Sequence, residues 1–94
     1  MEVVWSNAAK LDLTNLLEYL NENWSIDVIR KFELTLNKSV KRIKDNPNSN
    51  IVSSKRKNLR RIVLTKHNSL FYRITNNRIE IIRLFDTRQN PKKL

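Results

Sequence analysis

The sequence predicts an α+β domain in which an N-terminal strand leads into an antiparallel helix hairpin packed on one face of an antiparallel sheet. Three observations predict it. Apolar residues recur at three- and four-residue spacings through the first half of the chain. Three β-rich runs fill the second half, and "TNNR" joins the last two. A length of 94 residues leaves room for one modest core, so residues 1–94 are expected to form a single domain.

"EVVW" reads as the first strand. Ser6 then offers a side-chain oxygen to cap a helix running to about Asn23. Ala9, Leu13, Leu16, Leu17 and Leu20 share one face of that helix. Ser25 is the expected cap of a second helix, with Asp27 in its positive first turn. Ile29, Phe32, Leu36, Val40 and Ile43 form its apolar stripe, and Asn46-Pro47 stops it. The short link around Asn23–Ser25 folds the two helices into a hairpin.

"NPNSNIVSSKRKN" reads as a polar connector, cationic at its end. The β-rich runs are Leu59–Thr65, Leu70–Thr75 and Arg78–Phe85. Asparagine tolerates positive φ, so Asn76-Asn77 makes a two-residue turn without glycine. That turn sets Thr75 opposite Arg78, Arg73 opposite Glu80, Tyr72 opposite Ile81 and Phe71 opposite Ile82. Side chains alternate between faces. Leu70, Tyr72, Ile74, Ile79, Ile81 and Phe85, with Ile62 and Leu64, are therefore expected beneath the helices. Arg61, Val63, Phe71, Arg73, Glu80, Ile82 and Leu84 fall on the opposite face. No further element is left in the chain to cover that face, whose apolar part, Val63, Phe71, Ile82 and Leu84, suits a protein partner.

Hydrophobic residues make up 39% and charged residues 30%, which supports a globular fold. The net charge of +10 is unevenly placed. Residues 1–46 hold seven Lys/Arg against seven Asp/Glu, whereas residues 47–94 hold twelve against Glu80 and Asp86 alone. Such segregation points to a polyanionic partner. The chain has no cysteine, which excludes disulfides and thiol chemistry and suits a reducing cytoplasm. Its N-terminus lacks the pattern of a signal peptide, and no apolar run approaches the ~20 residues of a membrane span.

The absence of glycine excludes Gly-rich phosphate loops. One histidine, His67, with no cysteine leaves no metal cluster, so no metal or other cofactor is expected. What remains is cationic. Lys55, Lys57, Arg60 and Arg61 lie ahead of and within a strand, and Arg73, Arg83 and Arg88 follow on the hairpin and tail. Arginine presents a planar fork to phosphate, and lysine adds point charge. These groups are the candidate nucleic-acid or target-binding set.

The opening "WSNAAKLDLTNLLEYL" and the block "LRRIVLTKHNSLFYRITNNRIEIIRLFDTRQNP" together resemble the RelE/ParE superfamily of bacterial type II toxin–antitoxin toxins, over nearly the whole chain. The opening is similar to the ParE side of that superfamily. The resemblance implies a cytoplasmic growth inhibitor, neutralised by a cognate antitoxin; the cations rimming the open apolar face suit a toxin-binding segment that is acidic. ParE-like members poison DNA gyrase, and RelE-like members cleave mRNA on the ribosome. Matched to the RelE pattern, Arg61 falls on a basic active-site position and Arg88 on the terminal catalytic arginine. Val63 stands where that pattern has lysine and Ser69 where it has arginine, and no tyrosine follows Arg88. Together with the opening pattern, these departures tilt the expectation toward a ParE-like toxin, for which gyrase is the expected target. An mRNA interferase and a non-catalytic nucleic-acid-binding module are the alternatives.

Overall fold

A computed structural model describes residues 1–49, 51–52 and 58–88. Strand β1 (Glu2–Trp5) is followed by helices α1 (Asn7–Asn23) and α2 (Ile26–Asp45), then by β2 (Ile51–Val52), β3 (Arg60–Val63), β4 (Asn68–Thr75) and β5 (Arg78–Asp86). The strands form one sheet in the order β1-β5-β4-β3-β2. All neighbours are antiparallel except β1, which runs parallel to β5. The sheet is therefore mixed rather than wholly antiparallel. The connector also contributes the short strand β2, which pairs antiparallel with β3 through Ile51–Arg61 and Val52–Arg60.

Local chemistry accounts for the helix boundaries. Ser6 Oγ accepts from the Ala9 amide at 3.0 Å, capping α1, and donates to the Ile82 carbonyl at 2.8 Å. Ser25 stands at the N-cap of α2 without a side-chain bond, and Asn46 closes that helix. Ala9, Leu16 and Leu20 from α1 meet Phe32, Leu36 and Ile43 from α2 over Ile62, Leu70, Tyr72, Ile79, Ile81 and Leu84 of the sheet. Tyr72 is fully buried, and its hydroxyl donates to the Pro47 carbonyl at 2.7 Å, tying the end of α2 to the sheet.

The turn forms as expected, with φ of 48° at Asn76 and 62° at Asn77. It sets the register from Thr75–Arg78 as far as Tyr72–Ile81. There the ladder slips. Phe71 faces Arg83 rather than Ile82, and Ile82 is the extra residue of a bulge. One inserted residue reverses the alternation beyond it. Leu84 therefore leaves the expected partner-facing set, pairs with Leu70 and is buried at 5% exposure in the core. Phe85, expected in the core, pairs with Ser69 and is half-buried on the other side.

Candidate functional site

The face of the sheet away from the helices is built by register. Val3 and Trp5 pack against the core, so Val4 between them points the other way, level with Glu80. Next to Glu80 is Arg73, then Phe71 with Arg61 and Arg83 opposite it on either side, then Val63 level with Ser69. No described element covers this face. Phe71 is nevertheless only 6% exposed, whereas Val63 is 56% exposed. Of the four apolar residues assigned to this surface from sequence, Val63, Phe71 and Ile82 remain and Leu84 does not.

The cations sort into engaged and unengaged groups. Arg60 turns to the helix side and donates to the Asn48 carbonyl at 3.1 Å. Arg73 donates to Glu80 Oε1 through Nε at 3.0 Å and Nη2 at 2.8 Å, a cross-strand pair at the surface. Arg83 grips Asp12 of α1, with Nε at 2.7 Å and Nη2 at 3.0 Å. That hydrogen bond is the main reason its pKa is raised. Arg61 is exposed and forms no ion pair with a described residue. Lys55 and Lys57 lie outside the described residues.

Past Trp5, β1 ends and α1 runs beside the uncovered part of β5. Asp12 accepts the Leu84 amide at 3.0 Å as well as Arg83, so the helix satisfies an otherwise open strand edge. The groove between α1 and β5 is lined by Asp12, Glu18, Glu22, Arg83 and Asp86 among others. No three His, Cys, Asp or Glu among the described residues are arranged to hold a metal ion.

Arg88 sits in a built environment at the end of β5. Its Nη2 and Nε donate to Asp86 at 2.7 Å and 3.2 Å, and its amide donates to Asp86 Oδ1 at 2.8 Å. Asn68 Nδ2 also donates to the Asp86 carboxylate, and Thr65 Oγ1 donates to Asn68 Oδ1 at 2.6 Å. The guanidinium lies 5.7 Å from the Tyr19 ring centre and 5.8 Å from that of Trp24. The side chains of Arg88 and Asp86 are 18% and 2% exposed. Burial pushes the Asp86 carboxyl upward, but the hydrogen bonds and charge of Arg88, with Asn68, outweigh it and hold the pKa below its ordinary value. Arg88 is correspondingly raised, first by its hydrogen bond to Asp86.

Arg61 and Arg88, the two positions matched to catalytic arginines, thus differ in kind: one is open, the other clamped between a buried carboxylate and two rings. His67 lies in the β3–β4 loop, where its amide donates to Thr65 Oγ1 at 3.1 Å and its carbonyl accepts from Thr87. Sequence reasoning missed the Asp12 contacts. Asp12 belongs to the quoted opening pattern, but nothing local announces that its partners lie 71 and 72 positions away.

A strand, a helix hairpin and a mixed sheet with one open face define the RelE/ParE-like fold. A solved chain of the chromosomal ParDE toxin–antitoxin system from P. aeruginosa superposes with TM-score 0.77 at 19% identity, over 92% of this chain and 95% of that one. The YoeB/ParE toxin from Agrobacterium tumefaciens gives 0.66 at 14% identity, over 92% and 98%. A chain of the YoeB–YefM complex from Staphylococcus aureus gives 0.62 at 18% identity, over 90% and 94%. No curated protein matches the sequence significantly. The family described as "ParE toxin of type II toxin-antitoxin system, parDE" matches residues 3–91. The chain belongs to the ParE toxin family of type II toxin–antitoxin systems.

Proposed function

We propose that this ParE toxin arrests growth by binding DNA gyrase stoichiometrically, in the cytoplasm, until a cognate antitoxin covers it. The observation that carries this reading is the engagement of its arginines. Cleavage of RNA needs groups free to meet the charge building on a scissile phosphate, and a neighbour to move a proton. Arg73, Arg83 and Arg88 are each committed to a carboxylate of the chain. Arg61 alone of the two arginines matched to catalysis is open, and no carboxylate or histidine of the described residues is bonded to it. Such a surface suits recognition better than acid–base chemistry.

The antitoxin in this reading lies on the open sheet face around Val63, Phe71 and Ile82. Support comes from apolar surface that no described element covers, with Val63 exposed and Arg61 beside it, which suits an acidic segment. Purified toxin should inhibit gyrase supercoiling and leave mRNA intact in a translating extract. Antitoxin should reverse the inhibition at a one-to-one ratio. Cut mRNA with unimpaired supercoiling would replace this reading with the mRNA-interferase one.

A further inference from the structure

The neutrality of the first half of the chain hides a second segregation of charge. Residues 1–24 carry Glu2, Asp12, Glu18 and Glu22 against Lys10 alone. Helix α2 carries Arg30, Lys31, Lys38, Lys41, Arg42 and Lys44 against Asp27, Glu33 and Asp45. Lys38 lies seven residues after Lys31, and Lys41 and Arg42 lie three and four residues after Lys38, so the four share one flank of the helix, with Leu34 between the first two. All four are exposed, and none forms an ion pair with a described residue. Asp27 and Asp45 fall on the same flank, four residues before Lys31 and four after Lys41, so one acid stands at each end of the four cations. The negative end of the helix dipole favours cations there but does not require so many.

We propose that this flank of α2 binds the phosphate backbone of duplex DNA. The stripe puts four cations along roughly 16 Å of a straight helix. A rigid row of charge fits a rigid polyanion. Lysine is depleted in protein–protein interfaces, and the stripe offers only Leu34, 58% exposed, as an apolar anchor. A protein occupant is therefore disfavoured. A single strand is disfavoured too, because such strands are held by stacking on aromatics. The one aromatic of α2, Phe32, is 5% exposed and belongs to the core. Contact confined to the phosphates makes the binding sequence-independent. The surface is distinct from the open sheet face, so it stands whether or not gyrase is the target.

The test measures fluorescence anisotropy of a labelled 20-base-pair DNA duplex titrated with the toxin, purified free of antitoxin, across a salt series. The variant is Lys31→Gln, Lys38→Gln, Lys41→Gln and Arg42→Gln together. Glutamine keeps helix propensity, and circular dichroism and thermal melting check the fold. The variant should lose at least tenfold in affinity near 0.1 M salt, and its slope of log K against log salt should be shallower by about 3. A second variant, Lys31→Arg with Lys38→Arg and Lys41→Arg, should retain wild-type binding. Equal affinity and slope for the wild type and the glutamine variant would overturn the proposal. So would tighter binding of a single-stranded RNA of the same length, or displacement of the duplex by a polyglutamate peptide at equal charge.

Discussion

Arg88→Ala should unfold this domain more readily rather than merely silence it. Its partner Asp86 has a side chain that is 2% exposed, so the substitution leaves a buried carboxylate without its counter-ion. Breaking one side of a buried pair costs about 3–5 kcal/mol. The lower end applies here, because the guanidinium is still 18% exposed and Asn68 still donates to the carboxylate. Lost stacking on Tyr19 and Trp24 offsets part of that reduction, at roughly 0.5–1 kcal/mol for partly exposed cation–π contacts. A net loss of about 3 kcal/mol lowers Tm by roughly 12–24 °C in a domain of this size. Asp86→Asn should cost less, because the guanidinium it leaves can reach water. Melting of the two single variants and the double variant gives the coupling energy, expected above about 1 kcal/mol. Asp86 has a depressed pKa in the folded state, so its contribution is present above its unfolded pKa and is lost as pH falls through the folded value. The urea midpoint of the wild type should fall between pH 5 and the acid limb more than that of Asp86→Asn. A Tm change under about 4 °C for Arg88→Ala, with no coupling, would refute the clamp and return Arg88 to the set of groups available to a target.

Three other outcomes follow from the geometry. Asn77→Ala should cost about 1 kcal/mol in thermal melting, because the residue sits at φ 62° where a Cβ is penalised; an unchanged Tm would remove the turn assignment. Ser6→Ala should cost about 1–2 kcal/mol, since one hydroxyl both caps α1 and bonds the Ile82 carbonyl at the bulge; chemical denaturation measures it, and a loss below about 0.5 kcal/mol would count against the double role. Val63→Glu should leave Tm within a few degrees and weaken antitoxin binding at least tenfold by calorimetry, because Val63 is 56% exposed on the open face. Hydrogen exchange protected by antitoxin only on the outer helix surfaces would contradict that location.

The elements were legible because each has a local cause. Ser6 and Asn46-Pro47 mark helix ends, the stripes of α1 and α2 follow the helical period, and the asparagine pair forces the tight turn. The register was legible only as far as the turn governs it. The bulge at Ile82 has no local signature: neither glycine nor proline marks it, and the residues that hold it, Ser6 and Asp12, come from the opposite end of the chain. The same separation hid the pairing of Arg83. β2 was missed because two residues are too short a run to show a period.

The slip at Ile82 also decides what the open face can do. Without it, Leu84 would stand outside and Phe85 inside, and the face would be a longer apolar strip with Arg83 directed elsewhere. With it, Arg83 comes opposite Phe71, close enough to the sheet edge to reach Asp12, and the same carboxylate holds the Leu84 amide. One acid on α1 therefore fixes both the edge of the sheet and the direction of an arginine. Charge counted along the chain put all these arginines in one cationic set. Their partners divide that set: Arg60, Arg73, Arg83 and Arg88 are bonded within the fold, while Arg61, opposite Phe71, is exposed and forms no ion pair with a described residue. The proposed inhibition by occupancy calls for a surface of that kind and for no proton relay.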